Sequence, residues 1–380
     1  MNTKKKIKIL QTIRQGKIGG GESHVIDLVE ELDKDKYESV VLSFTEGPMV
    51  ERMLANGIKT YVIHTEKPFD FTKWNAVGEI LKNESIDIVH AHGTRANSNT
   101  FSAARKLGIP VIYTVHGWSF HPDQHFLLRN FRVLGERYLV NRSALTICVS
   151  ENNLNTALSL FPMKRATVVK YGINLHKFNP RLVFPDLRSE LGIDRKTLLV
   201  GYVVRMTIQK DPFTLVRAIA MIPQDLDIKF LFVGNGDLKN DTVKLAENLG
   251  VSSRIIFMDF RQDVPNVLNA IDVYCLPSLW EGLPIGMLEA MAMEKAVIVT
   301  AIDGAREVIT DHQNGLLINP QNPEELARAI IELRTSEILK EQLGKAAGET
   351  IQKDFNVIKM TRKIEELYDR TNQSVLKTQA

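Results

Sequence analysis

Short apolar runs rich in Val, Ile and Leu alternate along the chain with longer stretches whose apolar residues recur every three or four positions. In the first half the short runs at 7–13, 39–44, 59–63, 86–91, 110–115, 144–149 and 167–170 predict strands. Amphipathic spacing near 21–33, 72–83, 95–107, 125–141 and 150–159 predicts helices between them. Residues 171–196 interrupt this rhythm with Tyr171-Gly172-Ile173-Asn174, Pro180, Pro185 and a short helical piece, and read as a linker. The alternation then resumes, with strands near 197–204, 228–233, 254–257, 272–276, 296–300 and 315–318. Helices are expected near 212–221, 237–249, 285–293 and 323–333, and helical sequence runs from 336 to about 370. Near-continuous apolar strands separated by helices imply parallel sheets covered on both faces. The expected architecture is α/β, with two doubly wound Rossmann-like domains facing each other across a cleft. Their expected bounds are 1–178 and 179–360, with a helix and tail over 361–380 packing back on the N-terminal domain.

Composition fits that picture. The chain has 380 residues, 44% hydrophobic and 24% charged, enough to bury a core in each of two domains. Net charge is only +3, which gives no reason to expect a nucleic-acid partner. The halves differ, however: residues 1–178 hold 24 Lys/Arg against 17 Asp/Glu, and the remainder holds 24 against 28. Cys148 and Cys275 each sit inside an apolar strand pattern and read as core residues of a reducing compartment. The basic N-terminus lacks the apolar core of a signal peptide, and no run approaches 18 apolar residues. A cytoplasmic protein is expected.

Open α/β sheets bind ligands at the carboxyl ends of their strands, and the distinctive residues follow strands. Gly19, Gly20 and Gly21 open a helix, where backbone amides can meet an anion. Their spacing is neither the dinucleotide fingerprint nor a P-loop. His116 ends a strand and precedes Gly117. His90 and His92 stand two apart on another strand, without an acidic or Cys partner at metal-ligand spacing. Arg205 and Lys210 follow the strand 197–204 and could clamp a diphosphate. Glu281-Gly282-Leu283-Pro284-Ile285-Gly286-Met287-Leu288-Glu289 turns from a strand end into a helix. It holds one carboxylate in the loop and one on the helix, with amides near Gly286 and Met287 free to face phosphate or sugar oxygens.

Taken in order, these segments resemble the retaining glycosyltransferases of family 4, the glycosyl transferases group 1, which have the GT-B fold. The resemblance also covers Asp87-Ile88-Val89-His90-Ala91-His92, Val233-Gly234-Asn235-Gly236 and Asp303-Gly304-Ala305-Arg306-Glu307-Val308. It implies that Arg205 and Lys210 hold the diphosphate of a nucleotide sugar, assisted by the glycine loop at Gly19–Gly21. It further implies that Glu289 takes the ribose hydroxyls, that Glu281 contacts the transferred sugar and that His116 lies by the reacting face. Gly234, Gly286, Met287 and Leu288 complete the donor site it implies. No metal and no cofactor are expected, only the nucleotide-diphosphate sugar as donor substrate, with a uridine nucleotide favoured. Asp259, Asn174 and Glu294 depart from the family pattern. A sugar or lipid-linked glycan acceptor, as in capsule or exopolysaccharide synthesis, is the expected partner. A GT-B epimerase or phosphorylase is the alternative, and a non-catalytic carbohydrate-binding scaffold conflicts with the intact charged set. Residues 125–142 carry Arg129, Arg132, Arg137 and Arg142 on an amphipathic pattern. That pattern suits either peripheral contact with the anionic inner face of the plasma membrane or a core-packed helix with a solvated basic face.

Overall fold

A computed structural model describes residues 5–17, 19–121 and 124–379, with backbone alone at 303 and 375–379. The chain divides into two compact units, residues 1–172 with 357–380, and residues 173–356. The first holds a seven-stranded parallel sheet: β1 (Ile7–Ile13), β2 (Tyr37–Ser43), β3 (Lys59–Val62), β4 (Ile88–His92), β5 (Val111–Val115), β6 (Leu145–Cys148) and β7 (Ala166–Val168). Their order is β3-β2-β1-β4-β5-β6-β7. The second holds six: β8 (Leu198–Val203), β9 (Ile228–Val233), β10 (Ile255–Met258), β11 (Val273–Leu276), β12 (Ala296–Thr300) and β13 (Leu316–Ile318), ordered β10-β9-β8-β11-β12-β13. Each sheet is Rossmann-like, and the winding reverses between β1 and β4 and between β8 and β11. Those reversals open the crevices where such sheets take ligands.

The chain leaves the first unit at Gly172 rather than 178 and returns at Val357 rather than 361. The cause is local. Ile173 bridges Asn356 and donates its amide to Phe355 O at 2.7 Å, so the two crossings are tied together at the edge of the second unit. The helical sequence expected from 336 to 370 is two helices, Glu337–Asp354 and Val357–Gln379. The second lies on the first sheet. Its Val357, Met360, Ile364 and Tyr368 are buried with Ile9, Leu28, Ile88, Ile112 and Ile147 in one apolar cluster. Burying side chains of this size contributes about 1.5–3 kcal/mol each, so this helix is part of the core of the first unit. Among the helices that escape the periodicity are Pro48–Ala55 and Val264–Ala270. Each is short and has Pro in its first turn, the signal that would have found it.

Candidate active site

In the first unit the site is built at the ends of β1, β4 and β5. Beyond β1 the chain passes under the loop that follows β2. Gly16 and Gly47 meet there so closely that a Cβ on Gly16 would stand 2.7 Å from Glu46 C and Thr45 O. Gly19 caps the helix Gly20–Glu31. A Cβ on Gly21 would reach His116 Cδ2 at 3.4 Å, so this glycine lets the helix start lie against the imidazole face. Glu22, in the same turn, is buried, and burial raises its carboxyl above the ordinary range against the pull of Arg14 at 3.7 Å.

His90, His92 and Thr114 share one face of the sheet with Gln11, and the parallel register pairs Gln11 with His90 and His92 with Thr114. The two histidines suggested a metal pair by spacing, but their nitrogens go elsewhere. His92 bonds His116 at 3.2 Å and Gln11 at 2.9 Å, and His90 bonds Tyr368 at 2.6 Å and Thr114 at 2.7 Å. His116 Nδ1 bonds the Tyr171 hydroxyl at 2.6 Å. His24 stands edge-on against His116, with ring centroids 5.3 Å apart, and its two ring nitrogens have no hydrogen-bond partner among the described residues. Burial pushes His24 down to about 4 and holds His90, His92 and His116 well below the usual histidine range. Four neutral imidazoles therefore line this end of the sheet at pH 7. Gln11 and Tyr368 were not singled out in the sequence, and Tyr171 was named only as part of the segment Tyr171-Gly172-Ile173-Asn174.

The second unit presents charge instead. Arg205 follows β8, is exposed and makes no ion pair among the described residues. Gly234 and Gly236 hold its backbone: their Cβ atoms would stand 2.0 Å from Val204 O and 2.1 Å from Met206 O. At Gly234, φ is +133°, a second reason for glycine. Lys210 ends a 3₁₀ turn (Ile208–Lys210) and forms an ion pair with Glu281, whose side chain is only 8% exposed. Ser278 Oγ donates to Glu281 Oε1 at 2.9 Å and Gln209 Nε2 donates to Oε2 at 3.2 Å. The loop carrying Glu281 is pinned from below, because a Cβ on Gly304 would stand 2.0 Å from Gly282 O. Lys210 and Glu281, expected to grip different parts of a ligand, grip each other in the free protein.

Glu289 is half-buried on the helix Ile285–Ala292. Burial first, then the charges of Glu289 and Glu281, raise the Tyr274 phenol well above its ordinary range. Gly286 packs on that phenol, with a Cβ there 2.6 Å from Tyr274 Oη. Met287 and Leu288 open the same helix. Both side chains are fully buried, and both amides turn to Pro284 O at 3.1 and 3.3 Å. Asp259 is exposed and pairs with Lys239 at 2.6 Å. Glu294 sits at φ +55°, where a glycine would be at ease, and its backbone and side chain fill a notch made by Gly344 and Gly348.

The helix Phe126–Arg142 departs from a core-packed helix with a solvated basic face. Phe126, Leu127, Phe131 and Leu134 are each more than 60% exposed, and Leu128 and Tyr138 are also on the outside. Its buried side carries Glu136, which accepts from Thr94, Ser119 and Tyr113 at 2.6–2.9 Å. Arg132 donates to Ser119 O at 2.7 Å and Arg142 stacks on Tyr138 at 3.5 Å. No described helix is long and apolar enough to cross a membrane.

Two Rossmann-like sheets, one with a cation–carboxylate set at its reversal and the other with histidines at its own, are the make-up of a glycosyltransferase of the GT-B fold. Residues 183–350 match the model of the glycosyl transferases group 1, and residues 18–177 match that of Glycosyltransferase Family 4. The chain belongs to this group 1, family 4 lineage of glycosyltransferases. It is 27% identical over 381 residues to UDP-Gal:alpha-D-GlcNAc-diphosphoundecaprenol alpha-1,3-galactosyltransferase of Escherichia coli, covering 97% of this chain and 98% of that one. It is 28% identical to N,N'-diacetylbacillosaminyl-diphospho-undecaprenol alpha-1,3-N-acetylgalactosaminyltransferase of Campylobacter jejuni, covering 90% and 94%. In fold it is similar to Anabaena HepE in complex with UDP and glucose, with a TM-score of 0.86 at 22% identity over 96% of this chain and 100% of that one.

Proposed function

We propose that this enzyme is a metal-independent, retaining glycosyltransferase that moves a sugar from a uridine diphosphate sugar to a hydroxyl of a lipid-linked glycan. It would serve cell-surface glycan synthesis at an anionic membrane face. The observation that carries the reading is the set at the β8/β11 reversal: an Arg205 with no ion pair among the described residues, and a Lys210–Glu281 pair fixed by Ser278 and Gln209. Departure of a nucleoside diphosphate builds negative charge, and preorganised cations stabilise that charge where it forms. Arg205 offers a forked contact to the phosphates, and Lys210 a point charge. Glu281, held by three partners, keeps Lys210 in place and presents its carboxylate edge to the transferred sugar. Glu289 binds the ribose hydroxyls, and Gly20 with its neighbours supports the diphosphate.

His116 has both ring nitrogens committed inside the protein. It therefore serves to position the sugar, and the leaving phosphate takes the acceptor proton in a same-face attack. The two diphosphoundecaprenol-named relatives, and the teichuronic acid glycosyltransferase TuaC of Bacillus subtilis at 27% identity, support a carrier-linked surface glycan as acceptor. The E. coli name, with its UDP-Gal, supports the uridine donor. The outward Phe126, Leu127, Phe131 and Leu134, beside Arg129 and Arg137, would sit on the lipid surface, each cation adding about 1 kcal/mol.

Thermal shift against a nucleotide panel tests the donor, since a ligand at 100 times its Kd adds about 2.7 kcal/mol. UDP release with a diphosphoundecaprenol-linked sugar, in chelator, with an α-configured product from an α-donor, is the expected reaction. A rearranged sugar nucleotide formed without acceptor would overturn it in favour of an epimerase. The membrane reading expects co-sedimentation with phosphatidylglycerol vesicles, lost when Phe126, Phe131 and Leu134 are changed to Ser.

A further inference from the structure

Polar side chains from five separate segments of the first unit are joined in a single line of hydrogen bonds. The Tyr171 hydroxyl donates to His116 Nδ1 at 2.6 Å, and His116 Nε2–H donates to His92 Nδ1 at 3.2 Å. His92 Nε2–H donates to Gln11 Oε1 at 2.9 Å, and Gln11 Nε2 donates to the Tyr368 hydroxyl at 3.0 Å. The Tyr368 hydroxyl also bonds His90 Nδ1 at 2.6 Å, and His90 Nε2 bonds Thr114 Oγ1 at 2.7 Å. Gln11 sets the direction. Its amide nitrogen only donates and its carbonyl only accepts, so once it is oriented a neutral His92 carries its proton on Nε2, and a neutral His116, facing the remaining His92 nitrogen, carries its own on Nε2 as well. A second proton on His92 would set donor against donor at His116 Nε2.

The line ends on a residue far away in sequence. Tyr368 lies on the helix Val357–Gln379, 357 residues beyond Gln11, and both side chains are fully buried. The rings of His92 and His116 lie within 19° of parallel, and those of His116 and Tyr171 within 16°. Gly21 lies against the face of His116, and His24 closes its edge without competing for a hydrogen bond.

We infer that Tyr368, acting through Gln11 and His92, is a positioning residue that fixes the Nε2–H tautomer and ring plane of His116. Its consequence for catalysis rests on the proposed place of His116 beside the transferred sugar. Outer partners that fix a histidine's tautomer are worth about 10- to 100-fold in activity at metal sites, and a loss of that order in kcat with an unchanged donor KM is expected here.

The experiment is nitrogen NMR of the full-length protein labelled at histidine, with His116 and His92 assigned by substitution, comparing wild type, Tyr368→Phe and Tyr37→Phe. Tyr37 is the control, because its hydroxyl also binds the C-terminal helix, at Asp369 Oδ1 (2.7 Å), but stands outside the line. Wild type should show His116 and His92 as Nε2–H forms. Tyr368→Phe should give a mixture of tautomers at both and lower kcat, while Tyr37→Phe leaves tautomers and kcat as in wild type. An Nδ1–H form of His116 in wild type, or unchanged tautomers in Tyr368→Phe, would overturn the inference. Mixed tautomers with wild-type kcat would leave the positioning role standing and remove His116 from the sugar site instead.

Discussion

The two sheets wind outward from β1 and from β8 in the same manner, and each reverses next to that strand. At the first reversal three neutral histidines, one Gln and two Tyr satisfy one another, His24 packs against them without a hydrogen-bond partner among the described residues, and Glu22 and Glu136 are buried. The second reversal carries charge, an exposed Arg205 with no ion pair among the described residues and a largely buried Lys210–Glu281 pair. One fold thus supports two kinds of ligand-facing surface. A closed, neutral network holds shape at little electrostatic expense, whereas an open charged set waits for an anion. The difference follows from a few residues at strand ends, because the rows behind them, such as Ile9, Ile88 and Ile112 or Val200, Val273 and Ile298, are apolar in both.

The largest expected effect breaks the charged side. Arg205→Ala should fold as wild type, being exposed and without an ion pair among the described residues, yet lose about 10²–10³ in kcat, measured as UDP release with saturating donor. Near-normal turnover would reject its role. Lys210→Ala should lose activity to a similar degree and also stability, since it strands the Glu281 carboxylate. Lys210→Ala combined with Glu281→Gln should recover the melting temperature but not the activity, which separates the two functions of the pair.

Much of this contrast was legible in the sequence, and the exceptions have a physical pattern. All thirteen strands were visible because buried parallel strands are written as unbroken apolar runs. Arg205, Lys210, Glu281 and Glu289 were visible because they follow strands or open a helix within a short stretch. The Lys210–Glu281 contact was not, since nothing local says that two loops 71 residues apart meet. Gln11 was hidden inside a strand whose neighbours are apolar. Tyr368 looked like one more core residue of an amphipathic helix, and its hydroxyl acquires meaning only when that helix returns to the first sheet. Pro48 and Pro265 were overlooked as helix starts because the helices they open are too short to display a period.

Acid sharpens the comparison next. His24, His90, His92 and His116 all bind protons less readily folded than unfolded. Above pH 6.5 both states are neutral there. As pH falls from 6.5 toward 4 the unfolded chain takes up protons that the folded one refuses, and stability drops by up to about 1.4 kcal/mol per pH unit for each. Glu22 and Glu136, raised by burial, act in the opposite sense and offset part of this loss. In the second unit Asp263, drawn down to about 2 mainly by its hydrogen bond to Arg261, contributes stability that is lost only as pH falls below 3.8. Amide hydrogen exchange between pH 7 and 5 should therefore show the first unit losing protection before the second. Parallel loss in both units would contradict the assignment of the neutral network.

The smallest effect compares two glycines at equivalent places, each in the first turn of the helix beside its site. A methyl on Gly21 would meet the His116 ring at 3.4 Å, ordinary van der Waals contact that asks no movement of the ring. Gly21→Ala also gains helix propensity, worth up to about 1 kcal/mol, so its melting temperature should stay near that of wild type. A methyl on Gly286 would stand 2.6 Å from the oxygen of Tyr274, a fully buried ring with little room to retreat. Gly286→Ala should then cost about 1–3 kcal/mol, the usual penalty for overpacking, read as a lower urea midpoint with an unchanged slope. Equal stability of the two variants would mean that the ring at the charged site is free to move aside. The rigidity assigned to the loop holding Glu281 would then have to come from Gly304 and Ser278 alone.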